Sequence, residues 1–344
     1  MKLLYIFSKY SSHFRTAQAY CGLIREWHSF VSGVDAADAV ILHCEPHDYA
    51  AMYRAYGLAD KYVVSCALWE ADDLPDSYKR SLEHVQEVWV PSQYCRAVFE
   101  RYHARVHVVP YVLDRDLRCS DLDRAAVRQT INFKPACIYY LTITKVWDKR
   151  KNVQFLIDAF ERLRCEMPNA RLIVKAGMGD QQPHISDERI IVVNANLTDG
   201  QVAALYECAD VYVSAHHSEG WGLTMADALL FRKPTIATGY SGNLEFMDAS
   251  NSFLVAFEED YIREEDLFGS FTSRMRWAYP SQRDLEDRLL FLYGLRDNSA
   301  VQEAIQSKLK AAASIDRFNP VEVGKILRKR LEEVEVTASV LPQP

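Results

Sequence analysis

The chain of 344 residues is 49% hydrophobic, 12% aromatic and 25% charged, which is typical of a globular protein with two ordinary domains. Its formal net charge of -7 argues against a dedicated nucleic-acid binder. The eight cysteines form no C-x-x-C pair, so they indicate buried reduced thiols rather than a zinc ribbon or a disulfide framework. No signal peptide and no apolar run of about eighteen residues is present, so we expect a cytoplasmic protein without a membrane span.

Five short apolar runs predict strands in the first half of the chain, at residues 3–7, 39–42, 62–65, 87–92 and 106–110. After the first run, apolar residues recur at the helical period and predict a helix that includes Tyr20, Leu23, Ile24, Trp27 and Val31. Strands alternating with helices predict a doubly wound α/β domain with a parallel sheet. Ligands of such domains bind beyond the carboxyl ends of the strands, so the loops that follow the strands are candidates to face a substrate.

The second half of the chain repeats this architecture without visible sequence repetition. Apolar runs predict strands at residues 137–142, 171–175, 190–193, 211–214 and 234–237. A basic loop precedes a helical pattern that runs from Val153 to Leu163, and Asn152 is predicted as its N-cap. Helices are also predicted at residues 284–293 and 321–334, whereas the acidic and aromatic segment 256–276 gives no clear prediction.

A charged, weakly patterned segment at residues 114–133 is predicted to be the interdomain linker. We therefore expect a first domain at residues 1–130 and a second at 131–317. A helix at residues 318–335 is predicted to cross back to the first domain, and residues 336–344 are expected to form a frayed tail.

One stretch of the second half combines a strand, a glycine turn and a helix. The apolar run 209–214 leads to Glu219 and to a tryptophan between two glycines, and Thr224 with Asp227 then resembles a capping box. This order places the amino end of a helix at the carboxyl edge of a sheet, where anionic ligands bind. Two carboxylates beside a phosphate need another partner, and sugar hydroxyls suit them, so the stretch indicates nucleotide-sugar binding.

Several motifs in a fixed order resemble the retaining glycosyltransferases of family four, the group 1 glycosyltransferases. Glu219 and Asp227 stand where that family has E-x-x-x-x-x-x-x-E, although the second acid is Asp rather than Glu. The glycine pair often found after the first strand is missing, and residues 10–13 stand there. The other matches are Trp69-Glu70 through Pro75 with residues 87–92, Arg150-Lys151-Asn152 with Ala159-Phe160, residues 233–238 with Ser241-Gly242-Asn243, and Trp277-Ala278-Tyr279-Pro280.

The resemblance implies a GT-B fold, in which two Rossmann-like parallel-sheet domains face each other across a cleft. The first domain is then expected to bind the acceptor and the second to bind the nucleotide sugar. The implied reaction moves a hexose, with retention and by a front-face mechanism, to a hydroxyl of a glycan, lipid-linked or other glycoconjugate acceptor. Such a role belongs to polysaccharide or glycoconjugate assembly. The donor is expected to be UDP- or GDP-linked, and neither a cofactor nor a metal is expected.

The resemblance also assigns candidate roles to residues. Lys151 and Arg150 would stabilise the leaving diphosphate, Glu219 would accept hydrogen bonds from the donor sugar, and His43 would face that sugar. The remaining candidates on the donor side are Lys145, Gly220, Trp221, Gly222, Leu223, Thr224 and Asp227. The candidates on the acceptor side are Ser12, His13, His47, Trp69 and Glu70.

Structural interpretations of the same residues stay open. The basic residues fit a solvated turn, Asp227 fits either a ribose contact or a helix cap, and Trp69 fits core packing. Two other functions also stay open. One is transfer to a nucleobase or a small-molecule hydroxyl, and the other is a non-catalytic subunit that binds nucleotide sugar. Nucleic acid is not an expected partner. Peripheral contact with the inner face of a membrane stays open, although no convincing basic amphipathic helix is seen.

Overall fold

The computed structural model describes residues 1–8, 11–113, 118–180 and 182–339, with the side chains of Ser11 and Ser12 left out. The chain forms two α/β units, one of Met1–Asp114 with Asp316–Pro344 and the other of Arg115–Ile315. The predicted linker instead contains a helix, α5 (Asp121–Thr130), that packs against α7 (Asp199–Cys208) of the second unit. The division between the units therefore falls earlier than the expected boundary at residue 130. Residues 114–117 of that linker lie outside the described residues.

Within the described residues, the first unit has one parallel sheet of six strands in the order β2-β1-β3-β4-β5-β6. The strands are β1 (Lys2–Phe7), β2 (Ser29–Phe30), β3 (Ala39–His43), β4 (Tyr62–Cys66), β5 (Glu87–Val90) and β6 (Val106–Val108). Its helices are α1 (Ser11–Ile24), α2 (Tyr49–Tyr56), α3 (Asp76–Ser81), α4 (Gln93–Phe99) and α11 (Pro320–Ala338). Every residue of β3, β4 and β5 is buried, as expected for central strands covered by helices on both faces.

The described part of the second unit has a parallel sheet of six strands in the order β12-β11-β10-β7-β8-β9. The strands are β7 (Ile138–Ile143), β8 (Ala170–Ala176), β9 (Ile190–Asn194), β10 (Val211–Ser214), β11 (Thr235–Thr238) and β12 (Phe253–Val255). Besides α5 and α7, its helices are α6 (Val153–Arg162), α8 (Leu223–Leu230), α9 (Gln282–Tyr293) and α10 (Ser299–Ala311). Apolar residues of α6 and α9 share one core with the sheet, among them Leu156, Phe160, Leu285 and Leu289.

The structure differs from the sequence prediction at the edges of the sheets and in one insertion. The edge strands β2 and β12 are too short to leave a periodic pattern. The first predicted helix ends at Ile24 rather than continuing through Val31, and Trp27 packs instead beside Gly324 of α11. The segment 256–276 contributes to an antiparallel hairpin of β13 (Phe257–Tyr261) and β14 (Arg276–Pro280). Among the described residues, no helix is long and apolar enough to cross a membrane.

The C-terminal helix α11 is held to the first unit by a buried ion network at Glu87. The Arg330 guanidinium donates to Glu87 Oε1 at 2.8 Å, and the Arg105 guanidinium donates to Oε2 at 3.0 Å. The Trp89 indole N–H also donates to Oε1 at 2.5 Å. Burial raises the pKa of the Glu87 carboxyl, but these donors and charges lower it overall. Glu87 of the family-like E-V-W-x-P-S segment therefore has a structural role here.

Removal of Arg330 should destabilise the first unit. Arg330→Met leaves Glu87 buried without its closest cation on α11, and breaking such a pair costs about 3–5 kcal/mol. Arg105 still faces Glu87, so we expect the lower end of that range. The matched control is Lys325→Met, because Lys325 is exposed on the same helix and pairs across one helical turn with Glu322. Urea unfolding should show a lower midpoint for Arg330→Met alone, and equal midpoints would contradict this role.

Candidate active site

The loop between β10 and α8 carries Glu219 and is buried throughout. Residues 215–222 are all buried, and α8 begins directly after Gly222. The φ of Gly222 is +97°, in the left-handed region that favours glycine. A Cβ at this position would also lie 2.5 Å from the terminal methyl carbon of Met225. Glycine is therefore favoured here by the backbone conformation rather than by lack of space, because the end of the flexible Met225 side chain could move aside.

The capping box predicted from Thr224 and Asp227 is wrong. Helix α8 begins one residue before Thr224, and Gly222 takes the N-cap position without a side-chain hydrogen bond. The left-handed glycine starts the helix early, so Thr224 and Asp227 both lie within it. The Thr224 carbonyl oxygen accepts a hydrogen bond from the Tyr206 hydroxyl at 2.8 Å, and Asp227 is buried. The predicted ribose contact of Asp227 stays a prediction.

Glu219 is a buried anion held by two cations. The Lys151 ammonium donates to Glu219 Oε1 at 2.5 Å, and the Arg150 guanidinium lies 3.2 Å from Oε2. Burial raises the pKa of the Glu219 carboxyl, but the charges of Lys151 and then Arg150 outweigh this effect and lower the pKa to about 2. The carboxylate is therefore ionised at neutral pH in spite of its burial.

The two cations differ in their surroundings. Arg150 is buried, and its guanidinium also donates to the Ser218 carbonyl oxygen and to the Asp148 carboxylate, both at 2.8 Å. The Lys151 side chain is 22% exposed. Arg150 therefore joins the two loops of the site, whereas Lys151 presents its ammonium to solvent beside Glu219. Lys145, the third predicted cation, is half-buried with its ammonium 5.7 Å from the centre of the Trp147 ring.

The turn Lys149–Lys151 is fixed to the end of β10 by its neighbour Asn152. Asn152 takes the N-cap position of α6, but its φ is 52° and its side chain does not cap the helix. The predicted N-cap position is therefore confirmed, but the side-chain amide nitrogen donates to the Ala215 carbonyl oxygen at 3.0 Å instead of capping the helix. The His217 backbone N–H also donates to the Arg150 carbonyl oxygen at 2.8 Å. These bonds bring the cations to Glu219 across 68 residues of sequence.

A third loop, the turn Ser241–Glu245 after β11, lies directly against Glu219. The Glu219 backbone N–H donates to the Ser241 hydroxyl at 2.7 Å, and the Gly242 N–H donates to the Glu219 carbonyl oxygen at 2.8 Å. A Cβ on Gly242 would lie 2.2 Å from the Gly220 carbonyl oxygen, so only glycine fits. The sequence identified Ser241-Gly242-Asn243 as a family-like motif without assigning it to the site.

The remaining residues of the predicted donor side lie together on this loop and on the first turns of α8: Gly220, Trp221, Gly222, Leu223, Thr224 and Asp227. The Trp221 ring is buried against Phe246, with the ring centres 5.3 Å apart. The structure therefore places that indole in the interior of the unit. Its side chain contributes packing under the loop.

The adjacent histidines of the loop point to different neighbours. His216 Nε2 lies 3.1 Å from the Asn243 side-chain oxygen, and His217 Nδ1 donates to the Ala278 carbonyl oxygen at 2.6 Å. Burial lowers the pKa of each imidazole to about 4, so both rings are neutral at neutral pH. Among the described residues, no group of three or more His, Cys, Asp or Glu side chains is arranged to hold a metal ion.

His43 lies at the carboxyl end of β3 in the first unit and is buried. Its Nδ1 lies 2.9 Å from the Tyr5 hydroxyl, and its Nε2 lies 3.1 Å from the Thr16 hydroxyl. Burial is the main cause that lowers the pKa of its imidazole to about 3, and His13 adds to the effect. His43 is therefore a neutral ring at the strand end that the sequence identified.

The neighbouring His13 forms a pair that the sequence did not predict. His13 Nε2 lies 2.8 Å from Glu45 Oε1, and the Tyr78 hydroxyl donates to the other oxygen of that carboxylate. The rings of His13 and His43 meet edge to face with centres 5.6 Å apart. Burial raises the pKa of Glu45, but the bonds to His13 and Tyr78 lower it overall. The sequence pattern placed Glu45 in the loop after the strand at residues 39–42, but it gave no indication of the role of this residue.

The other predicted acceptor-side residues have mixed surroundings. His47 is exposed and lies 3.5 Å from the Asp48 carboxylate. Trp69 is buried, and its indole N–H donates to the Asp73 carbonyl oxygen at 2.7 Å, so its packing interpretation is the one that the structure favours. Glu70 is half-buried, and its negative charge is one of the causes that raise the pKa of the Tyr78 hydroxyl, after burial and Glu45. Ser12 lies on α1, but its side chain is outside the described residues.

Comparison with known proteins links the second unit to a family. Residues 138–264 match the family model described as glycosyl transferases group 1. The alpha-monoglucosyldiacylglycerol synthase of Streptococcus pneumoniae is 24% identical over 241 residues, which cover 65% of this chain and 52% of the relative. The trehalose synthase of Thermococcus litoralis is 27% identical over 139 residues, which cover 36% of this chain and 34% of the relative. The chain thus spans between a third and a half of the length of these relatives.

Solved structures extend the likeness to almost the whole chain. HepE of Anabaena, solved in complex with UDP-glucose, superposes with a TM-score of 0.70 at 14% identity, and the match covers 97% of this chain and 100% of HepE. Sucrose-phosphate synthase of Thermosynechococcus elongatus superposes with a TM-score of 0.68 at 12% identity, over 98% of this chain and 100% of the other. These similarities show the fold, in which each unit has a six-stranded parallel sheet with helices, as in GT-B structures.

The fold is therefore the GT-B α/β architecture that the sequence predicts. Residues 138–264, which match the family model of the group 1 glycosyl transferases, include Lys151, Arg150 and Glu219.

The charge of Glu219 should give a measurable pH dependence of stability. Its pKa in the folded state is lowered from 4.5 to about 2, so its stabilising effect is complete above about pH 5 and is lost as the pH falls towards 2. The difference in unfolding free energy between the wild type and Glu219→Gln should therefore decrease by about 2 kcal/mol when the pH falls from about 6 to 3. Urea unfolding at the two pH values measures this.

The control for this experiment is Glu303→Gln, because Glu303 is exposed on α10 of the same unit. Its stability should follow that of the wild type at both pH values. A difference between wild type and Glu219→Gln that does not change with pH would contradict the assignment of a buried, ionised carboxylate.

Proposed function

We propose that the chain transfers a hexose from a nucleotide sugar to a hydroxyl group of a glycan or glycoconjugate acceptor, with retention of anomeric configuration and without a metal. One observation carries this proposal. A buried, ionised carboxylate and a partly exposed lysine meet at the amino end of a helix, at the carboxyl edge of a parallel sheet. Such an arrangement suits a ligand that has hydroxyl groups at one end and a diphosphate at the other.

Glu219 is suited to accept hydrogen bonds from sugar hydroxyls. Its carboxylate is ionised at neutral pH, so it offers only acceptors, and hydrogen bonds to a charged group are about twice as strong as neutral ones. Its backbone is held by the Ser241 hydroxyl and by the Gly242 N–H. The position of the carboxylate is therefore set before any ligand binds, which is what sugar recognition requires.

Lys151 and the amino end of α8 are suited to hold a diphosphate. The Lys151 ammonium is partly exposed, and the first backbone N–H groups of a helix have no partner within the helix. The helix dipole adds positive potential at the same end. A leaving diphosphate gains negative charge as the glycosidic bond breaks, so these groups favour the transition state without the help of a metal.

The low pKa of Glu219 supports a front-face reaction. A carboxylate with a pKa of about 2 is a weak base and a weak nucleophile, so it is poorly suited to take a proton or to form a glycosyl-enzyme bond. In the front-face reaction the departing phosphate oxygen takes the proton of the acceptor hydroxyl as that hydroxyl attacks the same face of the sugar. The anomeric configuration is then retained.

We favour a UDP-linked donor over a GDP-linked one, because HepE was solved with UDP, with UDP and glucose, and with UDP-glucose. The acceptor is proposed only by class. Relatives named in the comparisons include synthases of trehalose and of a glucosyl lipid, which indicates that the fold accepts chemically different hydroxyl groups.

A donor screen should identify the nucleotide. Each of UDP-, GDP-, ADP- and dTDP-sugars is added to the wild type, and the correct one should raise the apparent melting temperature because it binds the folded state. NMR of the product should then show the anomeric configuration of the donor. An inverted product would contradict the front-face proposal, and donor binding with neither hydrolysis nor transfer would favour a non-catalytic subunit.

Substitution of the charged pair should remove activity and leave the fold intact. Lys151→Ala should reduce kcat by about 10²–10³-fold, since it removes a charge that faces the leaving group. Glu219→Ala should also lose turnover. The matched controls are Lys310→Ala and Glu303→Ala, which remove exposed charges of the same kind from α10. Turnover is measured with the donor found in the screen, and near wild-type rates in both site variants would refute the assignment.

A further inference from the structure

The hairpin of β13 and β14 packs directly on the loop that holds Glu219. The Trp277 indole stacks on the His217 imidazole, with ring centres 4.7 Å apart and planes 3° from parallel. The backbone N–H of Ala278 donates to the His217 carbonyl oxygen at 3.1 Å, and His217 Nδ1 donates to the Ala278 carbonyl oxygen at 2.6 Å. Both the backbone and the side chain of His217 are therefore fixed by β14, two residues before Glu219.

A series of aromatic contacts continues from Trp277 to the basic loop. The Phe271 ring lies 5.5 Å from Trp277, Phe268 lies 4.9 Å from Phe271, and Trp147 lies 6.3 Å from Phe268, measured between ring centres. Trp147 is one residue before Asp148, whose carboxylate binds Arg150 at 2.8 Å. The hairpin thus contacts both loops of the site, at His217 on one side and at Trp147 on the other.

The hairpin also has its own internal bonds. The Arg263 guanidinium lies 4.0 Å from the centre of the Tyr279 ring, and the Tyr279 hydroxyl donates to the Asp266 carboxylate at 3.1 Å. The Arg263 backbone N–H donates to the same hydroxyl at 3.0 Å. These bonds fix the segment between the two strands against β14, which carries Trp277.

The two loops of the site are therefore joined both directly and through the hairpin. Direct ion pairs join Lys151 and Arg150 to Glu219, and the hairpin joins the same loops through Trp147 and His217. An anionic ligand that binds Lys151 competes with Glu219 for the ammonium. The Lys151–Glu219 ion pair weakens at that moment. The bonds of Arg150 and Asn152 remain, and the aromatic contacts of the hairpin are uncharged and are unaffected by a phosphate.

We propose that the β13–β14 hairpin is a positioning element of the donor site, and that Trp277 is the positioning residue that holds the Glu219 loop against the basic loop when the nucleotide sugar is bound. This inference rests on the proposed function for its catalytic consequence. It assigns a role to the Trp277-Ala278-Tyr279-Pro280 motif that the sequence left without one. Positioning matters because a shift of about 1 Å in a group that orients the substrate can cost about a hundredfold in rate.

The proposal separates sugar positioning from nucleotide binding. Trp277→Ala should lower kcat by at least about tenfold, because Glu219 is held less firmly. The same variant should bind the free nucleoside diphosphate within about twofold of the wild type, because Lys151 and α8 are untouched. Trp277→Phe keeps an aromatic ring on His217 and should restore most of the rate. If Trp277 contributed only to stability, Trp277→Ala would lower the melting temperature but would not reduce kcat while leaving nucleotide affinity unchanged.

The matched control is Tyr261→Ala. Tyr261 lies on β13 of the same hairpin, its ring is 56% exposed and it does not belong to the aromatic series. It should retain wild-type kcat and nucleotide affinity. If Trp277→Ala fails to fold, Phe271→Ala tests the same series at its contact with the Trp277 ring, and the same split between kcat and nucleotide binding is expected.

Hydrogen exchange supplies a readout that does not depend on activity. Amides of residues 215–220 should exchange at least about tenfold faster in Trp277→Ala than in the wild type or Tyr261→Ala, since local opening becomes easier. Unchanged exchange in this loop would overturn the proposal. Equal losses of kcat and of nucleotide affinity in Trp277→Ala would also overturn the proposal. If the wild type transfers no sugar from any donor, the proposed function fails, and the exchange result still decides whether the hairpin positions the loop.

Discussion

The buried Glu219 carboxylate, held ionised between Lys151 and Arg150, is the interaction on which the rest of the site depends. An ion pair of this burial stabilises a structure only when its geometry is good and its remaining polar atoms are bonded, because desolvation of each ion costs several kcal/mol. The cations arrive from a turn 68 residues earlier in the sequence. A charged Glu219 carboxylate therefore requires that its own loop, the Lys149–Lys151 turn and the Ser241–Glu245 turn are held in contact.

The structure meets this requirement with backbone bonds and with residues of special conformation. Asn152 in the left-handed region bonds to the end of β10, and Gly242 makes a backbone contact that no Cβ would allow. Gly222 begins α8 early and turns its amino end towards the same loop. The hairpin adds an uncharged contact through Trp277. Each of these features lies at the carboxyl edge of the parallel sheet, where the ends of β10 and β11 deliver the loops.

The sequence predicted the interior of both sheets well, because central strands such as β3 and β10 are continuous apolar runs. It also placed Glu219, Lys151 and Arg150 in the correct loops. It did not predict that they touch, since that contact depends on the sheet order rather than on local pattern. It misplaced the start of α8, because a capping pattern at Thr224 competes with the conformational freedom of Gly222. Glu45 gave no signal for its role, and the motif at residues 277–280 marked one strand of the hairpin without predicting the hairpin itself.

In the proposed site, Lys151 binds the diphosphate and Glu219 binds the sugar of the same donor. Calorimetric titration of UDP and of UDP-glucose against the wild type, Lys151→Ala and Glu219→Ala separates these two roles. Lys151→Ala should weaken the binding of both ligands by about tenfold or more, since a charged hydrogen bond contributes about 1.5–3 kcal/mol. Glu219→Ala should weaken the binding of UDP-glucose but not of UDP. Equal affinity of wild type and Glu219→Ala for UDP-glucose would show that Glu219 does not bind the sugar.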